Sequence, residues 1–269
     1  MMNWMKYRWL YLFISGVVIA AGIFSMLKWG FKIGVDFTGG VVAEYRLKSG
    51  EDKIFRYGPL SKEESEKIRQ DFASQGATEI MFESVGPSVG PELVKKTIFA
   101  LLISASVILF WITYQFKSFK FGISATLATL HDSLVLLGLF SIFGHFFGTE
   151  IDFLFVTAIL TILSFSVHDT IVVYDRVRET RKKIGGSMTE IANMAISQTM
   201  VRSLNNSFTI IFMLAALILL GGSSIKWFAA ALLIGTVSGT YSSPFVAVSL
   251  LVTWDEISNR FMNKSSEEV

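Results

Sequence analysis

The stretch ILSFSVHDTIVVYDRVR, from Ile162 to Arg178, decides the fold because it places an acid within an apolar helix. Most residues around Asp169 are aliphatic or aromatic, as expected for a helix that lies in lipid or in a helical bundle. An ionised Asp at the centre of a bilayer costs about 2.5 to 3.5 kcal/mol, even on the most lenient scale. The position of Asp169 therefore requires a structural or a functional explanation.

The composition of the chain indicates which solvent surrounds it. Hydrophobic residues make up 52% of the 269 residues, the mean hydropathy is +0.53, and the charged residues are concentrated in a few stretches. These values are typical of a membrane protein. The net charge of +2 is too small to indicate nucleic acid as a partner, and the absence of Cys excludes disulfides and thiolate metal sites.

Several apolar runs are long enough to cross about 30 Å of hydrocarbon as helices. These six runs are residues 9–29, 94–114, 121–143, 151–173, 204–220 and 225–252. The first run is too long for the apolar region of a signal peptide, so we expect it to remain as the first span. The sequence thus predicts an α-helical membrane protein with six transmembrane helices.

The basic residues predict the orientation of these helices. Lys and Arg are enriched before the first run, between the second and third, and between the fourth and fifth, which places those segments in the cytoplasm by the positive-inside rule. The loops 144–150 and 221–224 contain no Lys or Arg, as expected on the opposite side. Both termini, the loop 174–203 and the tail 253–269 are therefore predicted to be cytoplasmic.

A small α+β domain is predicted between the first two spans, at residues 30–93, on the extracytoplasmic side. Val41–Leu47 and Thr78–Val85 are predicted to be strands. Ser61 and Glu64 form a capping box that begins a helix between these strands. A domain of about 60 residues buries a marginal core, so we expect it to rest on a partner.

A second capping box lies in the loop 174–203. Ser187 and Glu190 have the spacing of such a box and predict the start of a short amphipathic helix that ends near Gln198. We expect this helix to lie on the membrane surface.

Polar residues recur inside the predicted spans, and two interpretations of them remain open. They are His131 and Asp132 on the third run, Ser166, Asp169 and Thr170 on one face of the fourth, and Arg202, Asn205, Asn206 and Thr209 at the start of the fifth. The structural interpretation is that they form interhelical hydrogen bonds, worth about 0.6 to 2 kcal/mol each. The functional interpretation applies chiefly to Asp169, because intramembrane carboxylates usually mark ion pathways.

We hypothesise that Asp169 and Arg202 form a proton-responsive pair. A carboxylate removed from water tends towards its neutral form, whereas a nearby Arg favours the charged form, so the two influences oppose each other. Protonation would release the Arg and provide a two-state element that the membrane potential can bias. Two alternatives stay open: Arg202 as a cytoplasmic anchor, and His168 as a neighbour without a role in proton transfer. The depth of Asp169 also stays open, because it depends on where the fourth helix begins.

Six motifs follow one another along the chain. They are GVDFTGG (Gly34–Gly40), VGPSVGPEL (Val85–Leu93), HDTIVVYDRVRE (His168–Glu179), QTMVRSLNNS (Gln198–Ser207), GGSSIKWFAAALLIG (Gly221–Gly235) and GTYSS (Gly239–Ser243). In this order they resemble the SecF proteins of the SecD/SecF family, which belongs to the resistance, nodulation and division (RND) superfamily of proton-coupled transporters. The resemblance extends over essentially the whole chain, so it is more specific than any single motif.

The resemblance implies a fold, partners and a function. The six helices would be one half of a bundle of twelve, completed by a SecD-like subunit in the bacterial cytoplasmic (inner) membrane. The heterodimer would help the SecYEG channel, after or alongside SecA, to move unfolded preproteins outwards by means of the proton motive force.

The resemblance also implies a proton relay. In the family pattern, the acid of the fourth span and the Arg that opens the fifth conduct protons, and these correspond to Asp169 and Arg202. The residue before the acid is usually Asn and is His168 here; this His could either tune the pKa of the acid or add a second group that titrates near neutral pH. We therefore assign the predicted relay to Asp169, Arg202, His168 and Asp132.

Two glycine motifs have structural interpretations. Asp36, Gly39 and Gly40 follow the first span and are predicted to form a hinge between the membrane and the domain, because glycine permits positive φ. Gly235 and Gly239 are four residues apart in an apolar run, so we expect close helix packing there, at the interface with the partner.

Three functions remain open: a proton-driven subunit of protein export, an RND-type half-transporter that exports lipids or small hydrophobic compounds, and a scaffold that conducts nothing. Half-transporters of this kind usually have two much larger extracytoplasmic domains, whereas one small domain is predicted here. The sequence contains no P-loop, no zinc-type His spacing and no Gly-x-Ser-x-Gly motif. No enzymatic activity, cofactor or metal is therefore predicted.

Overall fold

The computed structural model describes residues 2–86 and 89–267 of the chain. In this part, six helical segments are long and apolar enough to cross a membrane. The prediction of an α-helical membrane protein with six spans is confirmed. Pro87 and Ser88 of the motif VGPSVGPEL, and Glu268 and Val269 of the predicted tail, lie outside the described residues.

The helices follow the chain from one span to the next. They are α1 (Arg8–Trp29), α2 (Val35–Thr38), α3 (Lys62–Ser74), α4 (Val89–Phe116), α5 (Phe119–Phe147), α6 (Phe153–Ile184), α7 (Met188–Leu220), α8 (Ser223–Ser242) and α9 (Val248–Glu267). A 3-10 turn at Trp4–Tyr7 leads into α1, and a π-helical turn at Ser243–Ala247 joins α8 to α9. The sixth candidate span therefore extends from Ser223 to Asn259.

The segment 174–203 is more helical than the sequence predicts. α6 continues to Ile184 and α7 begins at Met188, so the connection between them is short. Gly185 and Gly186 have φ angles of +65° and +94°, which residues with a Cβ rarely adopt. These two glycines allow the chain to reverse direction between two long helices.

The helix that was expected on the membrane surface is instead the first part of α7. The capping box of Ser187 and Glu190 is present, but the helix that it begins extends to Leu220. Its apolar residues Ile191, Ala192 and Ile196 are buried within the protein. The apolar face of this segment therefore packs against other helices of the same chain.

A sheet of three antiparallel strands lies between α1 and α4 along the chain. The strands are β1 (Gly40–Arg46), β2 (Asp52–Tyr57) and β3 (Thr78–Val85), in the spatial order β2-β1-β3. β1 and β3 match the predicted strands, and β2 is an addition. The ring of Phe72 on α3 stacks on Tyr45 of β1, with 4.2 Å between ring centroids, so α3 covers one face of the sheet.

Backbone and ionic contacts attach the sheet domain to the helical bundle. The Gly34 N–H donates to the Ile151 carbonyl at 2.8 Å, and the Ile151 N–H donates to the Lys32 carbonyl at 2.7 Å. Arg56 on β2 forms an ion pair with Glu150 at 2.6 Å. These contacts hold the domain against the loop that connects α5 to α6.

Small residues permit close packing where α1 crosses α5. A Cβ built on Gly138 of α5 would lie 2.5 Å from the Cα of Gly22 on α1. The hydroxyls of Ser25 and Ser141 form a hydrogen bond of 2.8 Å between the same two helices. The backbones of α1 and α5 are therefore in direct contact.

Candidate functional site

Asp169 lies at the middle of the 32-residue helix α6 and is 4% exposed. α6 begins at Phe153 and continues to Ile184, so Asp169 has about equal lengths of helix before and after it. At 1.5 Å per residue, Asp169 is about 24 Å from the first residue of the helix and about 22 Å from the last. The hydroxyl of Ser203 on α7 lies 2.7 and 2.8 Å from the two carboxylate oxygens.

The structure does not bring Asp169 and Arg202 together. Arg202 is exposed on α7, and no ion pair between Arg202 and Asp169 occurs among the residues described here. His168 is also exposed, on α6. Arg202 directly precedes Ser203 on α7, and His168 directly precedes Asp169 on α6. The hydrogen-bond partner of Asp169 is therefore the residue next to the predicted one.

Asp132 on α5 is fully buried and has more polar contacts than Asp169. The hydroxyls of Ser166, Ser238 and Ser242 each lie 2.6 Å from one of its carboxylate oxygens. Nδ1 of His131 lies 3.0 Å from Oδ1 of the same carboxylate. Donors from α6 and α8 thus converge on an acid near the middle of α5.

Asp132 and Asp169 share neighbouring elements of the structure. Ser166, which donates to Asp132, lies three residues before Asp169 on α6 and therefore on the same side of that helix. The hydroxyl of Ser243 lies 2.9 Å from that of Thr170, the residue after Asp169, whereas the hydroxyl of Ser242 donates to Asp132. The two acids therefore belong to one buried polar cluster formed by α5, α6, α7 and α8.

A groove of about 430 Å³ between α1, α5 and α8 reaches this cluster. Most of its lining is apolar, and its polar members include His131, Ser238 and Tyr241. The ring centroids of His131 and Tyr241 are 6.4 Å apart. The His131 side of Asp132 is therefore closer to the outer surface of the bundle than the side that faces α6.

Gly235 and Gly239 pack within this chain, not at a partner interface. A Cβ built on Gly235 would lie 2.2 Å from Cγ1 and Cδ1 of Ile162 on α6. A Cβ on Gly239 would lie 3.3 Å from the Cβ of Ser166. The predicted close packing is present, but it brings α8 against α6. This approach positions Ser238 and Ser242 beside Asp132.

Asp36 and the two glycines after it connect the sheet domain to α6. Oδ2 of Asp36 accepts a hydrogen bond of 2.7 Å from the N–H of Phe153, the first residue of α6. Gly39 and Gly40 have φ angles of +77° and +140°, and a Cβ on Gly40 would lie 2.6 Å from the carbonyl oxygen of Tyr57. The motif is thus a fixed connection that caps α6, with glycines where the backbone requires them.

Glu44 is a buried acid that the sequence interpretation missed. It lies on β1, is 1% exposed, and accepts hydrogen bonds from the hydroxyls of Ser223 and Ser224, the second at 2.6 Å. These serines begin α8. A signal was present, because Glu44 is an acid within an otherwise apolar part of the strand and GGSS is a motif rich in possible donors.

The serine donors around the two acids were also missed. They are Ser203 on α7, and Ser238 and Ser242 on α8; the last two are four residues apart, a spacing that places both hydroxyls on one helical face. Within residues 2–86 and 89–267, no group of three or more His, Asp or Glu side chains is arranged to hold a metal ion. The hydroxyls around Asp132 and Asp169 act as hydrogen-bond donors to carboxyl groups.

The fold and the site define a multi-pass α-helical membrane protein with acidic side chains at the centre of its bundle. The family model of the protein export membrane protein SecD/SecF, C-terminal part, matches residues 64–257. The chain belongs to the SecD/SecF family of protein export membrane proteins.

Relatives of similar length support this assignment. The protein translocase subunit SecF of Thermobaculum terrenum is 39% identical, in an alignment that covers 95% of this chain and 94% of the relative. The subunit SecF of Synechocystis is 33% identical, with 94% and 93% covered.

A longer relative has been solved as a crystal structure. The chain of SecDF from Thermus thermophilus, a translocon-associated membrane protein, matches with a TM-score of 0.85 and 29% identity. The match covers 95% of this chain and 39% of the SecDF chain. The present chain therefore corresponds to about two fifths of that longer protein.

Proposed function

We propose that this chain promotes Sec-dependent protein export as the smaller partner of a SecD-like subunit, driven by the proton motive force. The observation that carries the proposal is the buried acid Asp169 at mid-helix, in a chain similar over almost its whole length to translocase subunits. The names of these relatives favour protein export over the export of lipids or small hydrophobic compounds. Because the relatives are named as translocase subunits, we assign no catalytic activity to the chain itself.

The proposed SecD-like partner would cover an exposed polar surface on α7. Arg202, Asn205, Asn206 and Thr209 are exposed, although they lie on a helix that can span the membrane. Polar and charged side chains that face lipid are costly, so a second helical bundle is a better neighbour for this surface than hydrocarbon. The SecDF chain of Thermus thermophilus, which is much longer than this one, agrees with such a partner.

The proton relay would work through an exchange of neighbours on α7. Ser203 donates to Asp169 in the observed arrangement, and Arg202 precedes it by one residue. Adjacent residues in an α-helix point about 100° apart, so a rotation of α7 would replace the hydroxyl with the guanidinium. A neutral Asp169 is satisfied by Ser203, whereas a charged one attracts Arg202. His168 and Asp132 would complete the relay on α6 and α5.

The predicted orientation is part of the proposal. Arg8 at the start of α1 forms an ion pair of 2.6 Å with Glu256 in α9, so both ends of the chain lie on the same side of the bundle. The basic end of α6 lies on that side too, because Arg181 lines the same pocket as Glu256. By the positive-inside rule, we therefore assign this side to the cytoplasm. The sheet domain would then face the exterior, where it could contact preproteins as they leave the SecYEG channel.

The experiment reconstitutes the chain with its SecD-like partner, SecYEG and SecA in vesicles that carry a proton gradient. The variant Asp169→Asn should reduce gradient-stimulated export of a preprotein to the level measured without the chain, and should abolish the associated proton flux. The matched control is Asp175→Asn, which removes an exposed carboxylate from the same helix. Copurification from mild detergent checks that both variants still bind the partner.

Two results would contradict the proposal. Full gradient-stimulated export by Asp169→Asn would remove this acid from the mechanism. An intact wild-type complex that shows no proton flux and no gradient-stimulated export would remove proton coupling altogether and leave a scaffold as the function.

A further inference from the structure

Ser242 and Ser243 are adjacent residues that lie beside different buried acids. The hydroxyl of Ser242 donates to Oδ2 of Asp132 at 2.6 Å. The hydroxyl of Ser243 donates to the carbonyl of Gly239 at 2.9 Å and lies 2.9 Å from the hydroxyl of Thr170, the residue directly after Asp169 on α6. A single peptide unit thus joins the donor to Asp132 to a hydroxyl that contacts α6 beside Asp169.

The regular α-helix ends at the same place. The π-helical turn begins at Ser243 and extends to Ala247, and Pro244 within it has no N–H to donate to the preceding turn. Single π-helical turns are rare in proteins, and those that occur often lie at functional sites. The hydroxyl of Tyr174 on α6 donates to the carbonyl of Ala247 at 3.1 Å, so the far end of the turn is fixed to the helix that carries Asp169.

Neighbouring helices contribute polar groups to the surroundings of both acids. Asp132 is faced by His131 on α5, Ser166 on α6, and Ser238 and Ser242 on α8. Asp169 is faced by Ser203 on α7, with His168 beside it on α6 and with Ser243 against the adjacent Thr170. No Lys or Arg forms an ion pair with either acid in the part of the chain that the structure describes. Hydroxyls are therefore the most numerous polar neighbours of the two acids, and His131 is the titratable neighbour of Asp132.

We propose that the junction of Ser242 and Ser243 couples the two acids, so that the charge on Asp132 sets the proton affinity of Asp169. A charged Asp132 binds Ser242 tightly and holds the end of α8 in its observed register, because hydrogen bonds to charged groups are stronger than those to neutral ones. A neutral Asp132 holds Ser242 more weakly, which allows the π-helical turn to move Ser243 relative to Asp169. This proposal rests on the proposed function, since it requires Asp169 to gain and lose a proton.

The test is a pH titration followed by infrared spectroscopy of the C=O band of protonated carboxyl groups, in the purified complex with its SecD-like partner. The band that disappears in Asp169→Asn identifies Asp169. In Asp132→Asn, the midpoint of that band should shift by at least about 0.5 pH unit, which is about a threefold change in proton affinity. Repeating the titration in a Ser243→Ala background should remove most of this shift.

Two serine variants complete the design. Ser242→Ala, which leaves Asp132 in place, should shift the Asp169 midpoint in the same direction as Asp132→Asn, and Ser242→Thr should restore it. The matched control is Ser249→Ala, because the Ser249 hydroxyl is buried on α9 without a hydrogen-bond partner in the described residues. This control should leave the midpoint unchanged. If Asp132→Asn does not assemble with the partner, the Asp169 midpoints of Ser242→Ala and Ser242→Thr are compared with that of the wild type, and this comparison tests the coupling.

The possible outcomes separate this inference from the proposed function. An unchanged Asp169 midpoint in Asp132→Asn and Ser242→Ala would overturn the coupling while leaving the proton relay intact. A shift of equal size with and without the Ser243 hydroxyl would also overturn it, because the acids would then interact directly through space. A wild-type complex in which Asp169 does not titrate would overturn both proposals.

Discussion

Tyr45 on β1 is almost fully buried, and its hydroxyl donates to Glu79 at 3.3 Å. Burial raises the pKa of Tyr45 to about 12, and the carboxylate of Glu79 adds to this effect because it repels a phenolate. In the unfolded chain, a Tyr titrates near its ordinary pKa of about 10. The folded state therefore favours the neutral phenol, and this contribution to stability is complete below the unfolded pKa and lost as the pH rises through the folded one.

We therefore predict that the sheet domain loses stability between about pH 9 and pH 11 in the wild type more steeply than in Tyr45→Phe. Denaturant unfolding at both pH values measures the difference, and absorbance titration of the phenols should show one fewer late-titrating Tyr in the variant. Tyr114→Phe, which removes an exposed phenol from α4, is the control. Equal pH dependence in the wild type and in Tyr45→Phe would contradict the prediction.

At the same scale, Ser203 and Arg202 show what the sequence could not decide. The position of Asp169 within an apolar helix was visible in the sequence, and so was the polar segment that faces it. A shift of one residue turns a helical side chain by about 100°, and the sequence contains no information on the rotation of α7 about its own axis. The buried partner of the acid was therefore missed by one position. The serines around Asp132 were missed because they depend on how α8 packs against α5 and α6.

At the scale of the element, apolar runs predicted the number and order of the spans, because crossing hydrocarbon requires length and composition that few other structures need. The ends were less predictable. α6 continues for eleven residues beyond the predicted limit of Val173 because its polar end remains a good helix outside the apolar region. β2 was missed because its side chains are largely exposed and it lacks the apolar pattern of β1.

The close contact between α1 and α5 should not tolerate an additional Cβ. A Cβ on Gly138 would lie 2.5 Å from the Cα of Gly22, and because that atom belongs to the backbone of α1, it cannot rotate away. We expect Gly138→Ala to separate the two helices and to lower the free energy of unfolding by about 1 to 3 kcal/mol, the usual cost of overpacking. Thermal unfolding of the purified protein in detergent measures this loss.

The control for that variant is Gly16→Ala on α1. Nothing lies within 4 Å of a Cβ built on Gly16, so only the higher helix propensity of Ala applies, which is worth up to about 1 kcal/mol in favour of the folded state. Loss of stability in both variants would show that the helices respond to Ala in general and not to the contact between Gly22 and Gly138.

At the scale of the whole molecule, α8 connects the sheet domain to the buried acids. Its first residues, Ser223 and Ser224, bind Glu44 of β1, and Ser238 and Ser242 further along bind Asp132. Ser224 and Ser238 are about 21 Å apart along the helix axis at 1.5 Å per residue. We expect a helix to be stiff over this distance, and therefore to transmit a displacement from one carboxylate to the other. Arg56 with Glu150 and Gly34 with Ile151 attach the same domain to the start of α6.

Removing the carboxylate of Glu44 should loosen the domain from α8 while α6 still holds it. We predict that Glu44→Ala broadens the distribution of distances between spin labels at Lys67→Cys on α3 and Phe147→Cys at the end of α5, because Ser223 and Ser224 lose their acceptor. The chain has no native Cys, so both labels attach at defined positions. The control is Glu51→Ala, which removes an exposed carboxylate from the same domain. An unchanged distribution in Glu44→Ala would show that the contacts with α6 alone position the domain, and α8 would then not transmit displacement between the membrane and the sheet.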